Sequence, residues 1–299
     1  MAPKFDTVIV FGATGEVGST VALEAAKRGA KVYLAVRDPA KPIPKLDNEQ
    51  GFEKVKADLS DLESVTAAIK QTGAKAAYLY AVMHGVDQKA LAKTVKDAGI
   101  QHAVLLSSFT IKQLDPHTTT PEELIAHHHA EVEIALSEAD LPYTALRPGW
   151  FATNLIWQDL KKDSHEVKIF VPDAKFDFIT PDDIGRVGGA TLVNPPPESE
   201  KVVYITGPTI MTKREAWEQV DQTLGGGLKI SDISVEEFKQ ANSGMPQMLM
   251  NYMTKEMPVS YPDLYEDSYP LGAKNVQKYT GAPAMSLVDW VKENRSKFE

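Results

Sequence analysis

The chain has 299 residues, of which 43% are hydrophobic, so it is long enough to bury a large core. Its 32 Lys and Arg residues against 41 Asp and Glu residues give a net charge of -9 at pH 7, which repels phosphate backbones and anionic membrane surfaces. The absence of cysteine excludes disulfides, thiolate zinc sites and cysteine nucleophiles. No apolar run approaches the length of a membrane span and no signal-peptide core precedes the first strand, so we expect a cytoplasmic protein without nucleic-acid or membrane partners.

The first half of the chain alternates short, β-branched apolar runs with longer amphipathic stretches. This alternation is typical of parallel βαβ units. The apolar runs predict strands over residues 7–11, 31–36, 52–56, 76–80, 102–106 and 143–146. Several of these runs are apolar throughout, as expected for strands that helices cover on both faces. The pattern therefore predicts an α/β fold with a Rossmann-type doubly wound parallel sheet.

The first predicted strand leads into a glycine-rich turn, GATGEVG at residues 12–18, which opens an amphipathic helix. Gly12 allows the tight turn, Gly15 lets the backbone approach a pyrophosphate, and Gly18 lets the helix pack closely on the strand. The unpaired amides and the positive dipole end of the helix then face the anion, while the Glu16 carboxylate has to point to solvent. We therefore predict that a dinucleotide cofactor contacts Gly12, Thr14, Gly15, Glu16, Val17 and Gly18.

The residues after the second predicted strand bear on the choice between NAD and NADP. An NAD-binding unit commonly places an acidic residue on the ribose 2′-hydroxyl at this point. Here the strand is followed by Arg37, whose guanidinium matches a 2′-phosphate, and Lys41 lies close behind it. We therefore predict NADP(H). Asp38 is the alternative, because a one-residue shift of the strand boundary would restore an acidic reader of NAD.

A helix is predicted before the sixth strand. TPEE at residues 120–123 supplies an N-cap, a proline at the first helical position and a reciprocal glutamate, and the helix runs to about Ala139. His127 pairs with Glu131 toward solvent, and consecutive histidines at 127–129 cannot converge on one ion, so no metal site is predicted. The helical face that should pack inward carries Ile125, His128, Val132, Ala135 and Ala139.

The second half of the chain offers fewer strand signals. One further strand is predicted over 201–206, and the remainder reads as helices joined by proline-rich connections. We expect a dinucleotide-binding domain over 1–155, to which 178–208 returns. A smaller, mainly helical substrate-binding part should then comprise 156–177 and 209–299.

Several segments together resemble the NmrA-like family of atypical short-chain dehydrogenase/reductases, over nearly the whole chain. These segments are GATGEVG at 12–18, VRDP at 36–39, ADLSD at 57–61, LLSSF at 105–109, LRPGWF at 146–151, FITPDDIG at 178–185 and YITGP at 204–208. The resemblance implies that the cofactor adenine lies near Asp58 and Leu59. It also implies that the nicotinamide lies near Ala81, Val82, Met83, Ser107, Pro148, Gly149 and Phe151.

The resemblance also bears on catalysis. The wider superfamily uses a Tyr-x-x-x-Lys pair, but no tyrosine of this chain has a lysine four residues downstream. Many atypical reductases carry instead a lysine in the helix before the sixth strand, and that position falls on His128 here. An imidazole can donate a proton near neutral pH, so we predict His128 as catalytic general acid and cofactor contact, with inert packing or ribose binding as alternatives. Ser107 is the second predicted catalytic residue, through a hydrogen bond to a carbonyl or to the nicotinamide carboxamide, and turn capping is the alternative.

Three functions fit these observations. The leading hypothesis is an NADP(H)-dependent oxidoreductase that transfers hydride to a carbonyl, imine or activated double bond of a small apolar molecule. The second is a redox-sensing regulatory protein without turnover, because NmrA-like relatives include dinucleotide binders that are not enzymes. The third is a non-redox isomerase or cyclase on the same fold. The fold alone does not choose among them, and the sequence does not predict the oligomeric state.

Overall fold

The structure, a computed structural model, describes residues 2–47, 49–82 and 85–299, with the side chains of these ranges apart from residues 256 and 258–267. The chain divides into two units, which are described separately. Unit 1 comprises Met1–Pro148, Pro181–Tyr204 and Asn275–Ala282, and unit 2 comprises Gly149–Thr180, Ile205–Lys274 and Pro283–Glu299.

The strands and helices follow in chain order. The strands are β1 (Thr7–Phe11), β2 (Lys31–Val36), β3 (Phe52–Lys56), β4 (Ala76–Tyr80), β5 (His102–Leu106), β6 (Tyr143–Pro148), β7 (Leu160–Lys161), β8 (Glu166–Phe170), β9 (Lys175–Phe176), β10 (Val202–Ile205), β11 (Met211–Thr212) and β12 (Lys229–Ile233). The helices are α1 (Glu16–Lys27), α2 (Leu62–Thr72), α3 (Gln88–Asp97), α4 (Leu124–Glu138), α5 (Thr153–Asp159), α6 (Pro181–Val193), α7 (Lys213–Leu224), α8 (Val235–Ala241), α9 (Gln247–Asn251), α10 (Met257–Thr280) and α11 (Leu287–Glu293). None of the described helices is long and apolar enough to cross a membrane.

The central sheet has seven strands in the order β3-β2-β1-β4-β5-β6-β10. The predicted α/β class with a doubly wound parallel sheet is confirmed. The first five strands have the predicted bounds, the sixth extends two residues further to Pro148, and the strand predicted over 201–206 is Val202–Ile205. Short apolar runs buried on both faces are the reason that these strands could be located from the sequence.

Helices cover both faces of this sheet. On one face, side chains such as Ile9, Leu79 and Leu105 form one core cluster with apolar residues of α2, α3 and α4. On the other face α6 packs closely on α1. A Cβ atom on Gly185 would lie 2.4 Å from the Cβ of Thr20, and one on Gly189 would lie 2.6 Å from the Cβ of Glu24. Glycine therefore brings the two helices into close contact and fixes the position of α1.

The two units do not follow the expected domain boundaries at four places: residues 178–180 and 205–208, expected to return to the dinucleotide-binding domain, lie in unit 2, and two longer segments also change sides. Residues 149–155, expected in the dinucleotide-binding domain, belong to unit 2, because the chain leaves the sheet at the end of β6. Residues 275–282, expected in the substrate-binding part, belong to unit 1. Hydrogen bonds hold them there: the Asn275 side-chain amide donates to the Tyr204 carbonyl (2.8 Å), and Arg28 donates to the Tyr279 carbonyl (2.9 Å).

The prediction for the start of α4 is wrong. The helix begins at Leu124, and residues 120–123 form a turn in which the Thr120 amide donates to the Glu123 carboxylate (3.0 Å) and the Glu123 amide donates to the Thr120 carbonyl (3.0 Å). The hydrogen bond from the Thr120 amide to the Glu123 carboxylate, which is half of a capping box, thus forms although residues 120–123 are not helical.

The predicted inward face of α4 is only partly right. Val132 and Ala135 are buried, but Ile125 and His128 are partly exposed and lie at the margin of the buried face. The buried residues of the helix are Ala126, Ala130, Val132, Glu133, Ala135 and Leu136. Glu133, which the predicted face does not include, is fully buried, so the inward face is rotated from the predicted one.

Unit 2 contains helices and two small sheets, with strand orders β12-β8-β7 and β11-β9. The sequence pattern predicts the helices of this part but not these strands. In the first small sheet β8 and β12 pair in parallel, which joins segments about 60 residues apart in the chain. Runs as polar as EVKIF and KISDI gave no clear strand signal.

Candidate cofactor and active site

The glycine loop lies where the strand order of the central sheet reverses, between β1 and β4. In open α/β sheets the crevice outside the carboxyl ends of such strands binds ligands. Gly12 has a φ of +72°, which favours glycine, and its carbonyl accepts from the Gly15 amide (3.0 Å). A Cβ atom on Gly18 would lie 2.2 Å from the Gly12 carbonyl oxygen. The protein's own backbone therefore requires glycine at positions 12 and 18.

Gly15 differs from the other two glycines. Its φ is -87°, and a Cβ atom there would come no closer than 3.4 Å to any described atom. Nothing within the described part of the chain requires a glycine at this position, whereas close approach of a ligand to the backbone does. Gly15 also precedes α1 without any side-chain cap on the first amides of the helix, and Thr14 and Glu16 beside it are exposed. Val17 is buried under the loop.

Arg37 and Asp38, the two candidate readers of the ribose, have different surroundings. The Ser60 amide (2.9 Å) and hydroxyl (2.7 Å) donate to the Asp58 carboxylate and lower its pKa, and the charge of Arg37 lowers it further. Arg37, exposed directly after β2, is thus within electrostatic reach of the Asp58 carboxylate. The Asp38 carboxylate accepts from the Ala40 amide (3.0 Å) and closes a local turn. Lys41 is exposed in that turn, and its carbonyl accepts from the Lys54 ammonium (2.8 Å).

The remaining residues expected near the adenine and nicotinamide occupy several environments. Leu59 is buried in the core, so only its backbone is open to a ligand. Ala81 and Val82 are partly buried at the end of β4, and Met83 lies outside the described residues. Tyr80, which precedes them, was not predicted as a site residue. Its exposed ring lies over Gly12, and an aromatic residue at the end of a switch-point strand was the signal that could have found it.

Ser107 belongs to a buried polar network. Its hydroxyl donates to the Glu133 carboxylate (2.5 Å), which also binds the Arg147 guanidinium in a bidentate pair (3.0 and 2.8 Å). Neither charged side chain of this pair is exposed to solvent. Arg147 also donates to the carbonyls of Ile111 (3.1 Å) and Gln113 (2.6 Å) and so holds the loop after β5. The proton of Ser107 is thus occupied within the network, and the catalytic role of this residue stays a prediction.

The three consecutive histidines of α4 point in different directions. His127 lies 3.9 Å from the Glu131 carboxylate, as expected from their spacing. Burial and the charge of His128 together lower the pKa of His129 to about 4, against the opposing effect of the Leu106 backbone. His129 is therefore neutral at pH 7. Among the described residues no cluster of histidine and carboxylate groups could hold a metal ion.

His128 lines a cavity of about 520 Å³ in unit 1, which also touches Val82. The Gln88 side-chain amide donates to the Val82 carbonyl (3.1 Å), while its buried Oε1 has no hydrogen-bond partner among the described residues. The cavity is lined by Val82, Gly85, Val86, Asp87, Gln88, Lys89, His127, His128, Glu131 and Ile134. The structure thus places the predicted general acid and one predicted nicotinamide neighbour around the same cavity.

Of the LRPGWF segment, Pro148 ends β6 in unit 1, whereas Gly149 and Phe151 belong to unit 2. There the buried Asp177 carboxylate accepts from the amides of Trp150 (2.7 Å) and Gly207 (2.8 Å). A Cβ atom on Gly149 would lie 2.4 Å from that carboxylate, so the segment requires glycine at this position. Asp177 was not predicted as a structural residue, because no sequence pattern shows that its carboxylate binds two loops that are distant in the chain.

A parallel sheet that carries a glycine loop at its switch point defines a Rossmann-type α/β protein. The sequence profile of the NmrA-like family matches residues 4–282, and the chain belongs to this family. It is 33% identical to the nitrogen metabolite regulation-like protein bik4 of Gibberella fujikuroi, over 99% of this chain and 99% of that protein. It is 27% identical to the (4-alkanoyl-5-oxo-2,5-dihydrofuran-3-yl)methyl phosphate reductase of Streptomyces griseus, over 97% and 99% of the two chains.

The fold is also similar to a solved structure. The NADPH-dependent quinone oxidoreductase of Escherichia coli, in complex with NADPH, has a TM-score of 0.72 at 21% identity over 96% of this chain and 99% of that chain. The resemblance to the NmrA-like family read from the motifs is confirmed.

Proposed function

We propose that this protein is an NADP(H)-dependent oxidoreductase that transfers hydride to a carbonyl, imine or activated double bond of a small molecule. The observation that carries the proposal is the crevice at the switch point. There Gly15 is left open by the protein itself, and the exposed Arg37 directly follows β2, where its charge reaches the Asp58 carboxylate. Such a site accepts a pyrophosphate at the loop and an additional phosphate on the ribose.

Different residues of the crevice would bind different parts of the cofactor. The amides of Gly15 and the first turn of α1 would bind the pyrophosphate, Arg37 and Lys41 the 2′-phosphate, and the loop at Asp58 the adenine. Ala81 and Val82 would meet the nicotinamide end. When bound, the nicotinamide supplies the hydride. The names of relatives, which include an NADPH-dependent quinone oxidoreductase and a reductase, support this assignment.

The cavity beside Val82 is the candidate substrate site. Val86 and Ile134 give it apolar walls, and the buried Gln88 Oε1 offers a hydrogen-bond acceptor. We therefore expect a small, largely apolar substrate with one polar group. His128 on the wall would donate a proton to the atom that becomes anionic as hydride arrives.

Calorimetric titration with NADPH, NADP, NADH and NAD at one salt concentration tests the cofactor assignment. We expect micromolar binding of NADPH and a loss of about tenfold or more in Arg37→Ala, because charge-assisted hydrogen bonds to the 2′-phosphate disappear. Lys31→Ala is the matched control, since it removes one positive charge at the opposite end of the same strand, where Lys31 pairs with Glu53. Absence of binding by all four nucleotides would refute the proposal.

A regulatory protein that senses the cofactor is the second candidate. It is favoured by the 33% identity to a nitrogen metabolite regulation-like protein along nearly the whole chain. Oxidation of NADPH in the presence of quinone, carbonyl and imine acceptors separates the two. Turnover that falls at least about a hundredfold in His128→Ala, with NADPH affinity retained, supports the oxidoreductase. Tight discrimination between NADPH and NADP without turnover of any acceptor supports the regulator.

A further inference from the structure

Tyr80 occupies the centre of the switch point. It is the last residue of β4, and Gly12 directly follows the neighbouring strand β1. Two atoms of its ring, Cδ1 and Cε1, lie 2.9 Å from the place that a Cβ atom on Gly12 would occupy. The ring therefore covers the first glycine of the phosphate loop and excludes any side chain there.

Burial in the core does not explain why a tyrosine occupies position 80. Tyr78, two residues earlier on the same face of β4, is 2% exposed and belongs to the interior, whereas Tyr80 remains 38% exposed. The Tyr80 hydroxyl makes no hydrogen bond to any residue within the described ranges. The Tyr80 ring therefore offers an exposed aromatic face at the mouth of the crevice, and its hydroxyl offers a hydrogen-bond donor.

Two charged groups of the candidate adenosine site act electrostatically on the Tyr80 hydroxyl. Burial raises the pKa of Tyr80, the Asp58 carboxylate raises it further, and the Arg37 guanidinium opposes the shift. Tyr80 is thus within electrostatic reach of both residues. Because β1, β2, β3 and β4 are parallel neighbours, Gly12, Arg37, Asp58 and Tyr80 all lie at the same edge of the sheet.

We propose that Tyr80 contacts the adenosine half of NADP(H), with its ring as the wall of the adenosine site on the β4 side and its hydroxyl as a donor to the phosphate that Arg37 binds. This inference rests on the proposed function and adds a specificity residue to it. An aromatic face offers stacking to the adenine, and a phenol can donate to a phosphate oxygen but gains much less from a ribose hydroxyl. Tyr80 would therefore contribute to both affinity and preference for NADP(H).

Calorimetry with NADPH, NADH, 2′,5′-ADP and reduced nicotinamide mononucleotide tests the proposal, because these probes separate the two halves of the cofactor. In Tyr80→Ala we expect affinities for NADPH and 2′,5′-ADP to fall by the same factor, about tenfold, and affinity for the mononucleotide to stay unchanged. In Tyr80→Phe we expect the preference for NADPH over NADH to fall by about threefold or more. Tyr33→Ala is the matched control, because it removes another partly buried tyrosine of the same sheet.

The outcomes are distinguishable from failure of the proposed function. If the unchanged protein binds none of the probes, the cofactor assignment itself fails. If it binds NADPH and 2′,5′-ADP but Tyr80→Ala binds them equally or more tightly, the Tyr80 contact is refuted and the cofactor assignment stands. An equal loss for the mononucleotide would also refute it, because the effect would then be a general disturbance of the fold. Should Tyr80→Ala not fold, Tyr80→Phe and Tyr80→Leu carry the same comparison.

Discussion

At the scale of single residues, the buried pair of Glu133 and Arg147 connects helix α4 to the loop after β5. Both side chains are inaccessible to solvent, and their hydrogen bonds reach Ser107 and the loop after β5. Charges so deeply buried are tolerated only when paired and hydrogen-bonded. The pair therefore fixes the loop that carries Ser107, one of the residues predicted to face the nicotinamide.

Substitution of either residue of the Glu133–Arg147 pair should therefore destabilise the fold. We expect Glu133→Ala to lower the free energy of unfolding by about 3–5 kcal/mol, because it leaves the Arg147 charge buried without compensation. Urea denaturation measures the change. Lys93→Ala, which breaks the exposed pair with Asp97, is the control and should cost less than about 1 kcal/mol. Equal effects of the two substitutions would contradict the importance of burial.

Two histidines with lowered pKa values give the stability of the protein a defined pH dependence. Burial lowers the pKa of His129 to about 4, and burial together with the charge of Lys4 lowers that of His102 to about 4, against about 6.5 in an unfolded chain. Below about pH 6.5 the unfolded chain takes up protons that the folded one does not. The two neutral histidines therefore contribute their full stabilisation above about pH 6.5, and this stabilisation is lost as the pH falls toward 4.

We expect the free energy of unfolding to fall by on the order of 2 kcal/mol per histidine between pH 7 and pH 4.5. His129→Gln removes one of the two groups and should flatten the histidine part of the pH dependence by about half. His117→Gln, at an exposed position, should leave the profile unchanged. Denaturant unfolding across the pH series measures all three proteins, and identical profiles for His129→Gln and the unchanged chain would disprove the assignment.

At the scale of secondary-structure elements, the contact between α1 and α6 links stability to the candidate cofactor site. The loop of residues 12–18 opens α1, so its position depends on how closely α6 approaches. Gly185 is the narrowest point of that approach, because an added Cβ atom would lie 2.4 Å from the Cβ of Thr20 and 2.8 Å from the Val17 carbonyl oxygen. Neither neighbour is the flexible end of a long side chain, so a helix has to move.

Gly185→Ala should therefore lower the free energy of unfolding by about 1–3 kcal/mol. It should also weaken NADPH binding, because displacement of α1 moves the amides of the loop. Gly244→Ala, where nothing lies within 4 Å of an added Cβ atom, is the control and should change stability by no more than about 0.5 kcal/mol. Denaturation and calorimetry on the same preparations measure both effects. A fully stable Gly185→Ala would show that the helices can separate freely.

The elements also show how far the sequence predicts this molecule. The strands of the central sheet and the glycine loop could be located because short apolar runs and a glycine spacing are local signals. The start of α4 could not, because Thr120 and Glu123 form their hydrogen bonds in a turn as readily as in a helix. Glu133 and Asp177 could not either, since their partners, Arg147 and Gly207, are distant in the sequence. Tertiary contacts of this kind have no local signal.

At the scale of the whole molecule, net charge bears on the choice between enzyme and regulator. A chain with a net charge of -9 offers little attraction to a nucleic-acid backbone. We therefore expect any regulatory role to act through another protein rather than through direct contact with DNA. Because one relative is a nitrogen metabolite regulation-like protein, DNA binding should be tested directly for this chain.

We expect no binding of random-sequence duplex DNA in fluorescence anisotropy, even at low salt, where electrostatic attraction is strongest. A basic DNA-binding protein measured in parallel shows that the assay responds. Binding that weakens steeply with added salt would contradict the expectation and would favour direct contact with DNA.

The interleaving of the two units has a consequence for synthesis. Unit 1 requires α6 and β10, and also residues 275–282, where Arg28 and Tyr204 find hydrogen-bond partners. A ribosome releases those residues only after nearly all of the chain has left the exit tunnel. Until then, Arg28 and Tyr204 lack these hydrogen-bond partners, and a chain that ends before residue 275 cannot complete the first unit. A chain interrupted before residue 275 would therefore lack part of the first unit as well as part of the second.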